Sequence, residues 1–408
     1  MEILDITATL VTLAALFGYI NHRFLGLPST IGLMAISLVL SLGVMATELM
    51  GLAWFHEARA WVNEIDFHAM LMQGMLSFLL FAGALHVQLS DLAKQKWAIS
   101  GMATGGVVLS TLLVGSAMWW VFQWLERDMG FAWCLLFGAL ISPTDPIAVL
   151  GILKSAGAPR SLETKITGES LFNDGVGVVV FMVVLGFIGG GHESTESIAW
   201  LFVEEALGGI VFGLVIGYVA YRLLRSLDNY QLEVLITLAL VMGGYALAQH
   251  LHVSGPIAMV VAGLLIGNHG RRLAMSYQTE ERLDTFWEMI DEILNAVLFV
   301  LIGLELLALS FEARFSYAAL LAIPVVLLAR FISVGLLLTV LSRFREFSPR
   351  LFSIMTWGGL RGGISIALAL SLPRGPERDI IIAITYGVVV FSILVQGLTI
   401  GRLVGRIR

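Results

Sequence analysis

Apolar stretches of about twenty residues recur along the whole chain, and each is long enough to cross the ~30 Å hydrocarbon core of a bilayer as a helix. About thirteen can be marked, over 4–20, 29–49, 69–89, 97–125, 131–153, 162–188, 198–223, 232–250, 253–267, 293–309, 317–341, 348–372 and 379–403. Charged residues make up 13% of the chain and hydrophobic ones 58%, against about 25% charged in soluble domains. The fold class this predicts is an all-α polytopic membrane protein, because in lipid a helix satisfies its own backbone. The first stretch has no basic n-region and no small-residue cleavage site, so it is expected to be a retained span. Cys134 is the only cysteine, which rules out an internal disulfide and a thiolate metal site. No basic stripe with interleaved aromatics points to nucleic acid.

Most of the 24 Lys and Arg residues fall in alternate loops. Lys94, Lys96, Arg222, Arg225, Arg343 and Arg345 lie on one side, whereas Arg59, Arg127, Arg314, Arg374 and Arg378 lie on the other. The positive-inside rule then places the N-terminus outside and the C-terminus in the cytoplasm. The inner segment 268–292 mixes Arg271 and Arg272 with Glu280, Glu281, Asp284, Glu288 and Asp291, and is expected to form an amphipathic surface helix joining two halves. No soluble regulatory domain is expected, since the last arginines follow the last span at once. Gly213 and Gly217 have the spacing of close helix packing, read as internal rather than as a dimer seam.

Three constellations stand at membrane depth. In the fifth span, Ser142-Pro143-Thr144-Asp145-Pro146 should break the helix, because the prolines remove two backbone donors and clash with preceding carbonyls. Freed carbonyls and the Asp145 carboxylate are hard oxygen ligands suited to a small alkali cation, although an aspartate capping the next half-helix would also explain the residue. In the sixth span, Gly168-Glu169-Ser170-Leu171-Phe172-Asn173-Asp174-Gly175 places Ser170 and Asp174 on one helical face and Glu169 and Asn173 on the next. An ionisable residue there costs at least ~2.5–3.5 kcal/mol, so it is expected to face a cavity or a partner. Asp174 is a cation ligand and a proton acceptor at once, and so a site where sodium and proton can compete.

The third constellation is Trp357-Gly358-Gly359-Leu360-Arg361-Gly362-Gly363 in the twelfth span, where glycine's poor helical propensity predicts a second discontinuity. Arg361 needs a counter-ion, for which Glu169 is the candidate. Arg330 has Glu305 as candidate partner in a second buried pair, although spacing does not choose between the arginines. The two interrupted spans are seven apart and therefore antiparallel. An inverted repeat predicts that arrangement, and such paired interruptions point to a transporter site.

Together these three motifs resemble the NhaP-type sodium/proton antiporters of the monovalent cation/proton antiporter superfamily, relatives of the sodium/hydrogen exchangers. The resemblance extends over essentially the whole chain in span number, order and orientation. It implies an NhaA-like antiporter fold in which Asp174 alternately carries sodium and proton. Asp145, Ser170 and the Thr144 backbone carbonyl would complete the Na+ shell, Asn173 would bond to the unwound fifth span near Thr144, and Glu169 would pair with Arg361. It further implies scaffold helices over 1–96 and 191–310, mobile-core halves over 97–190 and 311–408, and a homodimer in a prokaryotic inner membrane. No cofactor is expected beyond the transported Na+ and H+, and no enzymatic activity.

Electrogenic relatives carry an aspartate where this chain has Asn173, which cannot titrate. One titrating carboxylate therefore predicts electroneutral 1:1 exchange. The rival readings are potassium/proton exchange on the same fold, a cation channel lined by carboxylates, and an intramembrane hydrolase using Asp145 and Asp174 as a paired acid and base. Oxygen ligands alone do not separate Na+, Li+ and K+.

Overall fold

The computed structural model describes residues 3–49, 54–146, 149–151, 153, 160–188, 195–270, 277–309, 313–342 and 349–404. Within them the regular structure is helical throughout, apart from one isolated antiparallel bridge between Asp145 and Leu360. Nine helices are long and apolar enough to cross a membrane among the described residues, and the shorter apolar helices Phe131–Ile141 and Gly255–Gly270 accompany them. The chain is thus an all-helical polytopic membrane protein.

The helices that carry the argument are α1 (Ile3–Ile20), α2 (Ser29–Leu49), α3 (Trp54–Asn63) and α4 (Leu76–Leu85). Next come α5 (Leu89–Ser100), α6 (Val107–Trp124), α7 (Phe131–Ile141) and α8 (Arg160–Ile188). They are followed by α9 (Thr195–Arg225), α10 (Tyr230–His250), α11 (Gly255–Leu265) and α12 (Tyr277–Leu304). The chain continues with α13 (Ala313–Ser342), α14 (Pro349–Trp357), α15 (Gly363–Leu370), α16 (Pro376–Phe391) and α17 (Gly397–Val404). Wide π turns over Gly101–Gly106 and Ser392–Gln396 join α5 to α6 and α16 to α17.

Two compact units divide the chain. One comprises Met1–Leu71, Leu109–Ala158 and Leu294–Arg408, and the other Met72–Val108 and Pro159–Ile293. In the first, α2 is tied to α12 by Ser37 Oγ donating to Val300 O and Ser41 Oγ to Gly303 O, both at 2.8 Å. Small residues let these backbones approach, as is usual where lipid removes the hydrophobic drive between helices. Tyr386 Oη donates to Ile302 O at 2.9 Å and fixes α16 to the same helix.

In the second unit, α9 and α11 cross at glycines. A methyl group on Gly213 would lie 2.6 Å from Ala258 O, and one on Gly217 3.2 Å from Ala262 Cα, so this pair serves internal packing as its spacing suggests. Of the segment 268–292, residues 271–276, with Arg271 and Arg272, lie outside the described residues. From Tyr277 it runs without a break into the following apolar stretch as the 28-residue helix α12, whose sequence passes from the second unit into the first and whose Glu281, Arg282 and Glu288 are exposed. Trp287, 0% exposed, lies against Phe78 and Phe81 and donates its indole N–H to Thr237 Oγ1 at 3.1 Å. The apolar stripe of this helix, with Leu283 and Trp287, faces the protein core, and Arg282 stacks over the Tyr230 ring at 4.2 Å.

Candidate ion-binding site

The expected site residues fall into one group in each unit. In the first, α7 ends at Ile141, and Ser142–Pro146 is non-helical, as the two prolines require. Ser142 Oγ donates back to Gly138 O at 2.6 Å and closes the last turn. Thr144 is buried and Asp145 half-buried. Val149 and Leu150 are helical, and their backbone N–H groups both donate to Pro146 O.

The glycine-flanked segment breaks in the same way. α14 ends at Trp357, α15 starts at Gly363, and the backbone between them is extended at Gly362, with φ −123° and ψ −161°. The two breaks meet. The Asp145 N–H donates to Leu360 O at 2.8 Å, the one bridge between extended segments among the described residues. Contact is close enough that a methyl group on Gly362 would lie 2.6 Å from Asp145 Cβ.

Arg361, 2% exposed, spans the crossing. Its Nη1 donates to Ser142 O and to Pro143 O, the latter at 2.9 Å, so it supplies donors to carbonyls that the break leaves without helical partners. Arg330, 6% exposed, donates through Nε and Nη2 to Met355 O at 3.3 and 3.1 Å and lies against Gly359. Both guanidinium groups, with Thr356 and Gln396, line a cavity of about 10 Å³, room for about one water. Glu305 occupies the short turn after α12, 8% exposed, where the charge of Arg378 acts on it.

In the second unit, Glu169, Ser170, Asn173 and Asp174 all lie on α8, an unbroken helix. Glu169, Ser170 and Asn173 are 2, 1 and 1% exposed, whereas Asp174 is half-buried. The helix packs on α5 and the π turn after it, and Gly168 fits against Leu92 and Ile99 and Gly175 against Ile257. Ser170 Oγ is buried with no hydrogen-bond partner among the described residues, an arrangement that native interiors rarely tolerate without a reason. No three His, Cys, Asp or Glu side chains converge on a common point among the described residues.

Residues 11–406 match the family described as sodium/hydrogen exchanger, transmembrane. This chain belongs to the sodium/hydrogen exchanger family. Among its relatives, the Na(+)/H(+) antiporter NhaP of Pseudomonas aeruginosa is 55% identical over 99% of this chain and 97% of its own length. The Na(+)/H(+) antiporter NhaH of Halobacillus aidingensis is 36% identical over 98% of this chain and 96% of its own. In fold, the chain is similar to the sodium proton antiporter MjNhaP1 of Methanocaldococcus jannaschii. The TM-score is 0.73 at 20% identity, covering 98% of this chain and 97% of that one. The family is one of transporters, so this exchanger is not an enzyme.

Two parts of the exchanger's first group escaped sequence reasoning. One is the carbonyl-binding role of Arg361, which no spacing in the sequence encodes. The other is Ser392 and Gln396, 1 and 3% exposed. Their signal was present in the sequence as two polar residues four apart in an otherwise apolar span.

Proposed function

We propose that this exchanger moves Na+ in one direction and H+ in the other by alternating access, with cation and proton competing for the carboxylate of Asp174. The observation that carries the assignment is the burial pattern on α8. Glu169, Ser170 and Asn173 are sealed, and Asp174 is the half-buried carboxyl group of the cluster, reachable by an ion or a proton. Its neighbour one turn away, Ser170, offers a buried hydroxyl oxygen. Asp145, the Thr144 carbonyl and Ser170 each offer a hard oxygen ligand suited to an alkali cation. Asn173, Glu169 and Arg361 have supporting roles, and Arg330 and Glu305 structural ones.

The wider arrangement in this proposal is an inverted repeat of about thirteen spans with the fifth and twelfth discontinuous. The chain runs from an outside N-terminus to a cytoplasmic C-terminus in a prokaryotic inner membrane. Residues 97–190 and 311–408 form a core that moves against scaffold helices from 1–96 and 191–310 in a homodimer. Because Asn173 does not titrate, one cation exchanges for one proton and no net charge crosses. Purified protein in sealed proteoliposomes, challenged in turn with Na+, Li+ and K+ while internal pH is followed, tests the proposal. Na+-driven proton flux unaffected by an imposed membrane potential is the expected result. Flux driven by K+ alone, or flux that follows the potential, overturns it.

A further inference from the structure

The π turn Ser392–Gln396 places two polar side chains behind the twelfth-span break. Ser392 Oγ accepts the backbone N–H of Arg361 at 3.0 Å and donates to Gln396 Oε1 at 2.7 Å. Gln396 Nε2 then donates to Trp357 O at 2.9 Å. The chain of three bonds therefore grips the break at both ends, at the last residue of α14 and at the first residue after Leu360. Between those ends lies the Leu360 carbonyl that receives the Asp145 N–H at 2.8 Å. Just beyond, the Arg361 side chain holds the carbonyls of Ser142 and Pro143.

A serine and a glutamine in the interior of an apolar span are costly unless bonded, and here their bonds go to backbone groups that a continuous helix would have satisfied itself. π turns interrupt α-helices often at functional sites, and this one stands where the broken segment requires external partners. We infer that Ser392 and Gln396 are positioning residues for cation binding. They set the register of Gly358–Leu360, and through Leu360 O and Arg361 they set where Thr144 and Asp145 present their oxygens. The inference rests on the reading of Thr144 and Asp145 as cation ligands; Ser392 and Gln396 act through the backbone.

The test measures apparent KM and maximal rate for Na+ in proteoliposomes carrying Ser392→Ala, Gln396→Met, Ser392→Thr or the double variant Ser392→Ala/Gln396→Met, with Asp174→Asn in parallel. Losing one such bond is expected to raise the Na+ KM about five- to tenfold in each single variant. Ser392→Thr, which keeps the hydroxyl, retains the parental KM. The double variant exceeds the larger single effect only slightly, because both residues act on one segment. Unchanged KM in Ser392→Ala and Gln396→Met, with only yield or maximal rate reduced, overturns the inference. Should Gln396→Met fail to fold, Ser392→Ala, which deletes one oxygen, decides by the same readout. Unchanged KM together with loss of exchange in Asp174→Asn removes the positioning role and leaves the carrier assignment standing. Retained exchange in Asp174→Asn overturns the carrier assignment, while the KM comparison still decides the positioning role.

Discussion

Gly362→Ala probes the crossing of the two broken segments with the smallest possible change. The backbone there, at φ −123° and ψ −161°, is open to any L-residue, so the substitution introduces no dihedral strain. What it introduces is a methyl group 2.6 Å from Asp145 Cβ and 2.8 Å from its Cγ, with Oδ2 nearer still. Ordinary carbon contacts lie near 3.5–4.0 Å, so Asp145 and Gly362 must separate by about 1 Å. Overpacking of this kind costs about 1–3 kcal/mol, and a displacement of about 1 Å at a reacting group can cost on the order of 100-fold. The expected result in a proteoliposome flux assay is a rise in apparent KM for Na+ of about ten- to a hundredfold, with the protein still folded. Gly43→Ala is the control, since nothing lies within 4 Å of its added methyl group. An unaltered KM in a folded Gly362→Ala variant would refute the argument that the close approach of these segments positions Asp145.

Gly138→Ala should act on stability instead. Its methyl group would meet backbone atoms, Thr111 C and Gly115 N at 3.1 Å each, so α6 and α7 must part at a cost of about 1–3 kcal/mol, seen as a lower melting temperature in detergent. Trp287→Phe removes the hydrogen bond to Thr237 and should cost about 0.5–1.5 kcal/mol of stability. Thr237 still donates to Val234 O at 2.9 Å in that variant, so the Na+ KM should stay at its parental value.

How far the sequence revealed this architecture depended on whether the cause was local. The breaks at Ser142–Pro146 and Gly358–Gly362 were legible because proline chemistry and glycine propensity act on the residues that carry them. The α8 cluster was legible for a similar reason, since helical spacing alone puts Ser170 with Asp174. Tertiary satisfaction of the broken backbone was not legible. That Arg361 would donate to carbonyls some 220 positions earlier in the chain, or that Ser392 would accept its N–H, follows from which helices meet, and no period in the sequence encodes that. The segment 268–292 shows the converse. Its spaced apolar residues fit either a membrane surface or a protein core, and Trp287 proved to face Phe78 and Phe81.

Competition between sodium and proton at Asp174 is the claim from which the rest follows, and proton release on cation binding measures it without any transport cycle. Purified protein in weakly buffered detergent solution, titrated with NaCl against choline chloride and followed by a pH indicator, should release one proton per cation bound at saturation when the site begins protonated. Asp174→Asn should release none. Protons released by Asp174→Asn to the same extent as by the parent, or sodium bound by the parent with no proton released, would contradict the account.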